Sequence, residues 1–304
     1  EKGVIKEEIL RNKADPSKAV WDYSWFPLFF QGTELARPYS GTDKDVETIS
    51  EKDVGMFMST YFQPSRTVLF VAGDLDKNYT EDVLNKYADF HSKNNSETDT
   101  ENNIIMPKIE KNTLAYQDNS YYQTSLAIGI KTVPFVSPLK HTFDILLEML
   151  AGYFGTPLIQ ELRDKGGLIY TWNSFQDNLS DIGYLVINLS VAHKNVKQVV
   201  SVLAREFKRF EQGKFSKKEV EMAKNHLIGK ILANTETGRN YIEWYGLQEL
   251  LNPQEVLSIE EKIEIYKNID IDKITSVAKK YFSNSNVFIS AIGKATESSL
   301  SLNV

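Results

Sequence analysis

Shifted by 220 residues against itself, the chain matches without a gap. Ile49 to Gly73 (ISEKDVGMFMSTYFQPSRTVLFVAG) falls on Ile269 to Gly293 (IDIDKITSVAKKYFSNSNVFISAIG). Ile49/Ile269, Tyr61/Tyr281, Phe62/Phe282, Ser65/Ser285 and Gly73/Gly293 are identities, and Val54/Ile274, Phe57/Val277, Val68/Phe288 and Leu69/Ile289 keep apolar against apolar. Each block reads as helix, then Tyr-Phe, then strand. A period of this size is that of a domain, far beyond the roughly 20–50 residues of solenoid repeats. The chain therefore reads as a duplicated domain in which two whole copies do not fit. The first copy is expected to be truncated at its N-terminus and the second to be complete. An initial Glu1 in place of Met fits a chain cut from a longer parent.

With 41% hydrophobic and 12% aromatic residues, the composition is that of a globular protein of about two domains. No apolar run reaches the roughly 18 residues of a membrane span. There is no cysteine, so disulfides, thiolate nucleophiles and cysteine zinc sites are excluded, and any metal must be held by His and carboxylate ligands. A net charge of -6 argues against nucleic acid as a partner. The sequence leaves the compartment open.

Along the chain, Glu1 to about Asn12 has a helical pattern. After Asp15-Pro16, the aromatic stretch Trp21 to Phe30 reads as a second buried segment that Pro27 should interrupt. Ser50 caps the helix of the first repeat block, Val68 to Ala72 reads as a buried strand, and a helix follows through Tyr87. The polar run His91 to Asn103 cannot pack and reads as a linker. The expected division is residues 1–92 for the end of the first domain, 93–108 for the linker and 109–304 for the second domain. That second domain is expected to be α+β. Strands lie near Thr113 to Gln117, Thr124 to Val133, Leu168 to Phe175, Ile182 to Val191 and Val287 to Ile292. Helices run from Ser137 to Ala151, from Thr156 to Gly166, from Asn195 to Glu211, from Lys217 to Leu232 behind a Ser216/Glu219 capping box, and through Arg239–Leu251, Ile259–Asn268 and Ile271–Tyr281.

The familiar catalytic signatures are absent: there is no G-x-S-x-G, Walker loop, G-x-G-x-x-G or H-E-x-x-H, and the four His are scattered. Two constellations stand out. Glu1 and Glu8 are seven apart, which in a helix returns them to nearly one face about 10 Å apart along the axis. They form either part of a site or a solvated acidic face. Under the repeat shift Glu1 meets Glu221 but Glu8 meets Ile228, as expected if the first copy alone carries a site. The second constellation runs from Glu161 to Tyr170, a helix end joined to a strand through Gly166-Gly167. The glycines allow a sharp reversal that can put Arg163 and Tyr170 at one rim, able to bind a carbonyl or oxyanion. The plainer reading is a surface Arg and a half-buried Tyr.

Together these pieces resemble the pitrilysin, insulysin and mitochondrial processing peptidase family, the zinc peptidases with an inverted H-x-x-E-H motif. The resemblance covers nearly the whole chain and rests on three features: the duplicated domain, the Arg163-six residues-Tyr170 spacing in a Leu-Arg…Gly-Leu-x-Tyr context, and the Glu1 to Ile9 helix. It implies duplicated two-layer α/β domains of the metallopeptidase LuxS-like type. Glu8 falls on the third zinc ligand, with Glu7 the adjacent alternative, and Glu1 on an upstream glutamate that supports the site. The H-x-x-E-H segment, with two His ligands for one Zn²⁺ and a Glu as general base, would lie upstream of residue 1. In the second copy the corresponding segment, Leu147 to Ala151, reads Leu-Glu-Met-Leu-Ala and cannot bind zinc. The resemblance thus implies a metalloendopeptidase that encloses peptides or unfolded polypeptides between two domain halves, as a homodimer or heterodimer. Arg163 and Tyr170 would face the site from the silent domain, and this chain alone would be inactive. The other readings are a non-catalytic partner subunit or scaffold of the same family, or a peptide-binding module without chemistry.

Overall fold

The structure is a computed structural model and describes residues 1–87, 111–118 and 120–302. Helix α1 (Lys2–Ala14) ends where Asp15 turns extended. The Asp15 carboxylate accepts a 2.9 Å bond from the Ser17 N–H and so caps α2 (Pro16–Val20), whose first residue is proline. Pro27 does not break the segment that follows. Trp21–Trp25 is a π-helical turn in which the Phe26 N–H reaches back five residues to the Trp21 carbonyl, and this shift of register lets Pro27 sit inside the first turn of α3 (Phe26–Phe29). Helices α4 (Asp43–Thr48) and α5 (Glu51–Tyr61) each start on a capping box, Thr42/Asp45 and Ser50/Asp53. They precede α6 (Lys77–Tyr87). The expected linker, residues 93–108, lies outside the described residues.

Five strands follow: β1 (Thr113–Gln117), β2 (Thr124–Thr132), β3 (Ile169–Asn178), β4 (Gly183–Val191) and β5 (Val287–Gly293). Their order is β1-β5-β2-β4-β3, with β1 parallel to β5 and every other pair antiparallel. Successive side chains of a strand face opposite ways, and both faces of this sheet are covered. Leu126, Ile128 and Ile130 of β2, with Leu185, Ile187 and Leu189 of β4, join a core under α7 (Lys140–Ala151), α9 (Val196–Glu211), α10 (Lys217–Ala233), α12 (Ile259–Asn268) and α13 (Ile271–Tyr281). The short α8 (Pro157–Ile159) and the longer α11 (Gly238–Leu251) complete the helices. The intervening residues Ala127, Tyr184, Val186, Phe288 and Ile292 meet Val20, Trp25, Phe29 and Phe30 on the opposite face. The segment from α2 to α3 is therefore a strap laid across the second unit's sheet. The buried Ser24 and Ser290 hydroxyls, 3.3 Å apart, and the bond from Tyr121 OH to the Lys13 carbonyl join the two units.

The repeat holds element by element. Helix α5 and the 3₁₀ turn Pro64–Arg66 reproduce α13 and the turn Asn284–Asn286 at the same shift, α1 falls on α10, and the strap falls on α11. One expectation fails. Residues 68–72 are not a buried strand: the counterpart of central strand β5 runs without a ladder partner among the described residues. Phe57, Phe62 and Val68 are 57%, 69% and 53% exposed, whereas Val277, Phe282 and Phe288 are at most 6% exposed. A strand needs neighbours for its N–H and C=O groups, and among the described residues it is α11 that lies against this segment. A Cβ on Gly246 would come within 3.1 Å of the Phe70 ring, and one on Gly238 within 3.1 Å of the Ala72 carbonyl.

Candidate functional site

Glu1 and Glu8 lie where the spacing places them, at the N-cap and on the exposed side of α1. The opposite side is anchored: Ile9 is buried, the Lys2 ammonium donates to the Glu47 carbonyl at 2.8 Å, and Lys6 pairs with the Glu47 carboxylate. No group of three or more His, Cys, Asp or Glu side chains among the described residues is placed to hold a metal. Glu8 is one carboxylate without companions, so the residues present do not make a zinc site.

The second constellation forms a shaped rim. Thr156 caps α8 by accepting from the Ile159 N–H, and the helix continues as a π turn, Gln160–Lys165, that carries Arg163. Gly167 has φ 56°, in the left-handed region, and reverses the chain into β3, while the Leu168 N–H donates to the Leu162 carbonyl at 2.8 Å. This reversal joins the turn that carries Arg163 to the end of β3 that carries Tyr170, and no hydrogen bond joins the two side chains among the described residues. Tyr170 is 82% exposed, not half-buried. Arg163 instead packs on two rings that the sequence did not single out. Its guanidinium carbon lies 4.5 Å from the Phe154 centroid and 5.8 Å from that of Trp172, and the two rings meet edge to face at 4.7 Å. Trp172 is fixed in turn: its indole N–H donates to the Ala151 carbonyl at 2.9 Å, as does the Ser174 hydroxyl at 3.0 Å, so β3 caps the open end of α7. A ring two residues beyond Tyr170 was the one signal available for this support.

Behind the rim, α7 carries two acids, Glu148 buried and Asp144 partly buried, each met by basic side chains. The Glu148 carboxylate binds His226 Nδ1 and, at 3.2 Å, the Lys230 ammonium, both from α10. Asp144 accepts from the Tyr266 hydroxyl at 2.6 Å, and His141 Nδ1 lies 3.7 Å away. Burial pushes the Asp144 pKa up, but His141, Lys262 and Tyr266 outweigh it and hold the carboxyl below its ordinary 3.8. A carboxyl with a lowered native pKa contributes stability above its unfolded value and loses it as pH falls through the native one. Thermal stability is therefore expected to drop steeply once pH goes below 3.8. Asp144→Asn should be less stable at pH 7 and show a shallower drop in melts taken as pH falls below 3.8. An unchanged slope would count against the assignment.

The model of the peptidase M16 inactive domain matches residues 48–227. The chain is 22% identical over 251 residues to the uncharacterized zinc protease YmxG of Bacillus subtilis, covering 83% of this chain and 60% of that protein. It is 23% identical over 303 residues to the mitochondrial-processing peptidase subunit beta of Homo sapiens, covering 96% and 60%. The chain thus spans about 60% of the length of these relatives. The crystal structure of a peptidase M16 inactive domain from Pseudomonas fluorescens superposes with TM-score 0.79 at 18% identity, covering 97% of this chain and 70% of that one. The α+β fold expected from the sequence is therefore the fold of that domain.

Proposed function

The chain belongs to the family of the peptidase M16 inactive domain, and from that premise we propose that it forms part of a zinc-dependent endopeptidase, facing the metal across a peptide-binding space. The observation that carries this reading is the rim itself: a guanidinium with no acid partner among the described residues, seven positions before an exposed phenol on β3, in the domain that the family names inactive. Arg163 supplies N–H donors to a peptide carbonyl and to the negative charge that grows on its oxygen during attack, and Tyr170 adds an O–H donor. Glu8 contributes one metal ligand from α1, with Glu1 orienting the site from the same helix face. The remaining ligands come from residues outside these 304, together with the strands that residues 68–72 lack here. A polypeptide substrate would be enclosed between the two units, residues 93–108 joining them, in a homodimer or heterodimer.

The test compares this chain with the full-length protein. The chain by itself is expected to retain no stoichiometric zinc and to leave an internally quenched peptide intact, whereas the full-length protein should hold zinc and cleave, and Glu8→Gln should lower its zinc content. Chelator-sensitive cleavage by the chain alone would overturn the reading. Zinc-free full-length protein would favour the second reading, a non-catalytic partner subunit. That second reading is supported by the processing peptidase relative, which is by name a subunit.

A further inference from the structure

Arg163 differs from the other arginines of the second unit in how its charge is held. Arg205 is paired with Glu161, Arg209 with Glu206 and Glu219, and Arg239 with Glu243. Arg163 makes no ion pair and no hydrogen bond through its side chain among the described residues, although Glu161 lies two positions away in the same turn. That acid is occupied by Arg205 from α9. What Arg163 has instead is the Phe154 face at 4.5 Å and the Trp172 ring at 5.8 Å. A carboxylate partner engages the N–H donors of a guanidinium in its plane. A ring face holds the cation through its quadrupole and leaves those donors unused.

We propose that Phe154 and Trp172 are positioning residues, which hold the Arg163 guanidinium with its N–H fork open toward the bound peptide. This rests on the role given to Arg163 above. Phe154 is 57% exposed, so its ring serves the core little, and the edge-to-face contact with Trp172 at 4.7 Å fixes it. Trp172 is anchored through its N–H to the C-terminal carbonyl of α7 at Ala151, and the position of the guanidinium is thereby referred to the helix that borders the rim.

Steady-state cleavage of an internally quenched peptide by the full-length protein tests this. Phe154→Leu keeps the apolar bulk but loses the ring face. It is expected to lower kcat about tenfold with KM and the melting midpoint little changed, and Phe154→Tyr should restore the rate. Added to Arg163→Ala, Phe154→Leu should have no further effect. Multiplicative losses in that double variant would mean that Phe154 contacts the peptide itself and would overturn the inference. An inert Phe154→Leu beside a damaging Arg163→Ala would overturn the positioning alone, whereas an inert Arg163→Ala would overturn the role of the rim and this inference with it.

Discussion

Replacing Trp25 with alanine is expected to lower the unfolding free energy by about 3–5 kcal/mol, the range for deleting a fully buried large side chain. Trp25 is completely buried between the strap and the sheet, stacked on Phe29 at 5.4 Å and packed against Tyr184 at 6.2 Å. The sheet makes room for it with Gly129, where a Cβ would come within 2.8 Å of the indole and 2.1 Å of the Leu185 carbonyl oxygen. The indole N–H is buried without a partner among the described residues, so Trp25→Phe loses volume but no hydrogen bond and should cost clearly less than Trp25→Ala. Gly129→Ala should be as harmful as Trp25→Ala, because a backbone oxygen in mid-sheet cannot give way. Urea titrations followed by circular dichroism would measure all three. A loss under about 1 kcal/mol for Trp25→Ala would mean that the strap is not what closes this face.

That result bears on where the units divide. The sequence marks Trp21 to Phe30 as core by its aromatic stripe, but nothing local says whose core it is. The partners, Tyr184 and Phe288, are far along the chain and become neighbours only through the sheet. Caps were legible because their chemistry is local: Ser50 and Ser216 each sit three residues before an acid that returns the bond. Pro27 was misread since a π turn leaves no composition signal. Residues 68–72 were misread for the opposite reason: their apolar pattern is that of β5, but a pattern cannot supply the neighbouring strands. At the rim, the Arg163 to Tyr170 spacing was readable within ten residues. The support from Phe154 was not, because it comes from the turn that follows α7.

The same long-range problem hides the charge cluster that joins α7 to α10, and its removal is the second large effect expected. Glu148 is 78 residues from His226 and its side chain is 4% exposed, while those of His226 and Lys230 are 42% and 49% exposed. The asymmetry decides which deletion hurts. His226→Ala with Lys230→Met leaves a carboxylate buried without a counter-charge and should cost about 3–5 kcal/mol. Glu148→Gln leaves an imidazole and an ammonium that water can reach and should cost about 1–2 kcal/mol. Adding Glu148→Leu to the first pair should recover much of the loss, since an apolar group then fills an apolar place. Gly152→Ala should disturb the same cluster, as its Cβ would lie 2.3 Å from the Glu148 carboxyl carbon. Chemical denaturation of the four variants would rank them, and a larger loss for Glu148→Gln than for the double variant would refute the burial argument. Under the repeat, α10 is the counterpart of α1, with Ile228 at the place of Glu8 between His226 and Lys230. In the resemblance, α7 corresponds to the helix that carries the His ligands. Joined by Glu148 with His226 and Lys230, the two helices of the silent copy need no metal to stay together. A rigid rim then follows from ordinary ion pairing: α7 ends at Ala151, whose carbonyl holds Trp172, whose ring holds Arg163.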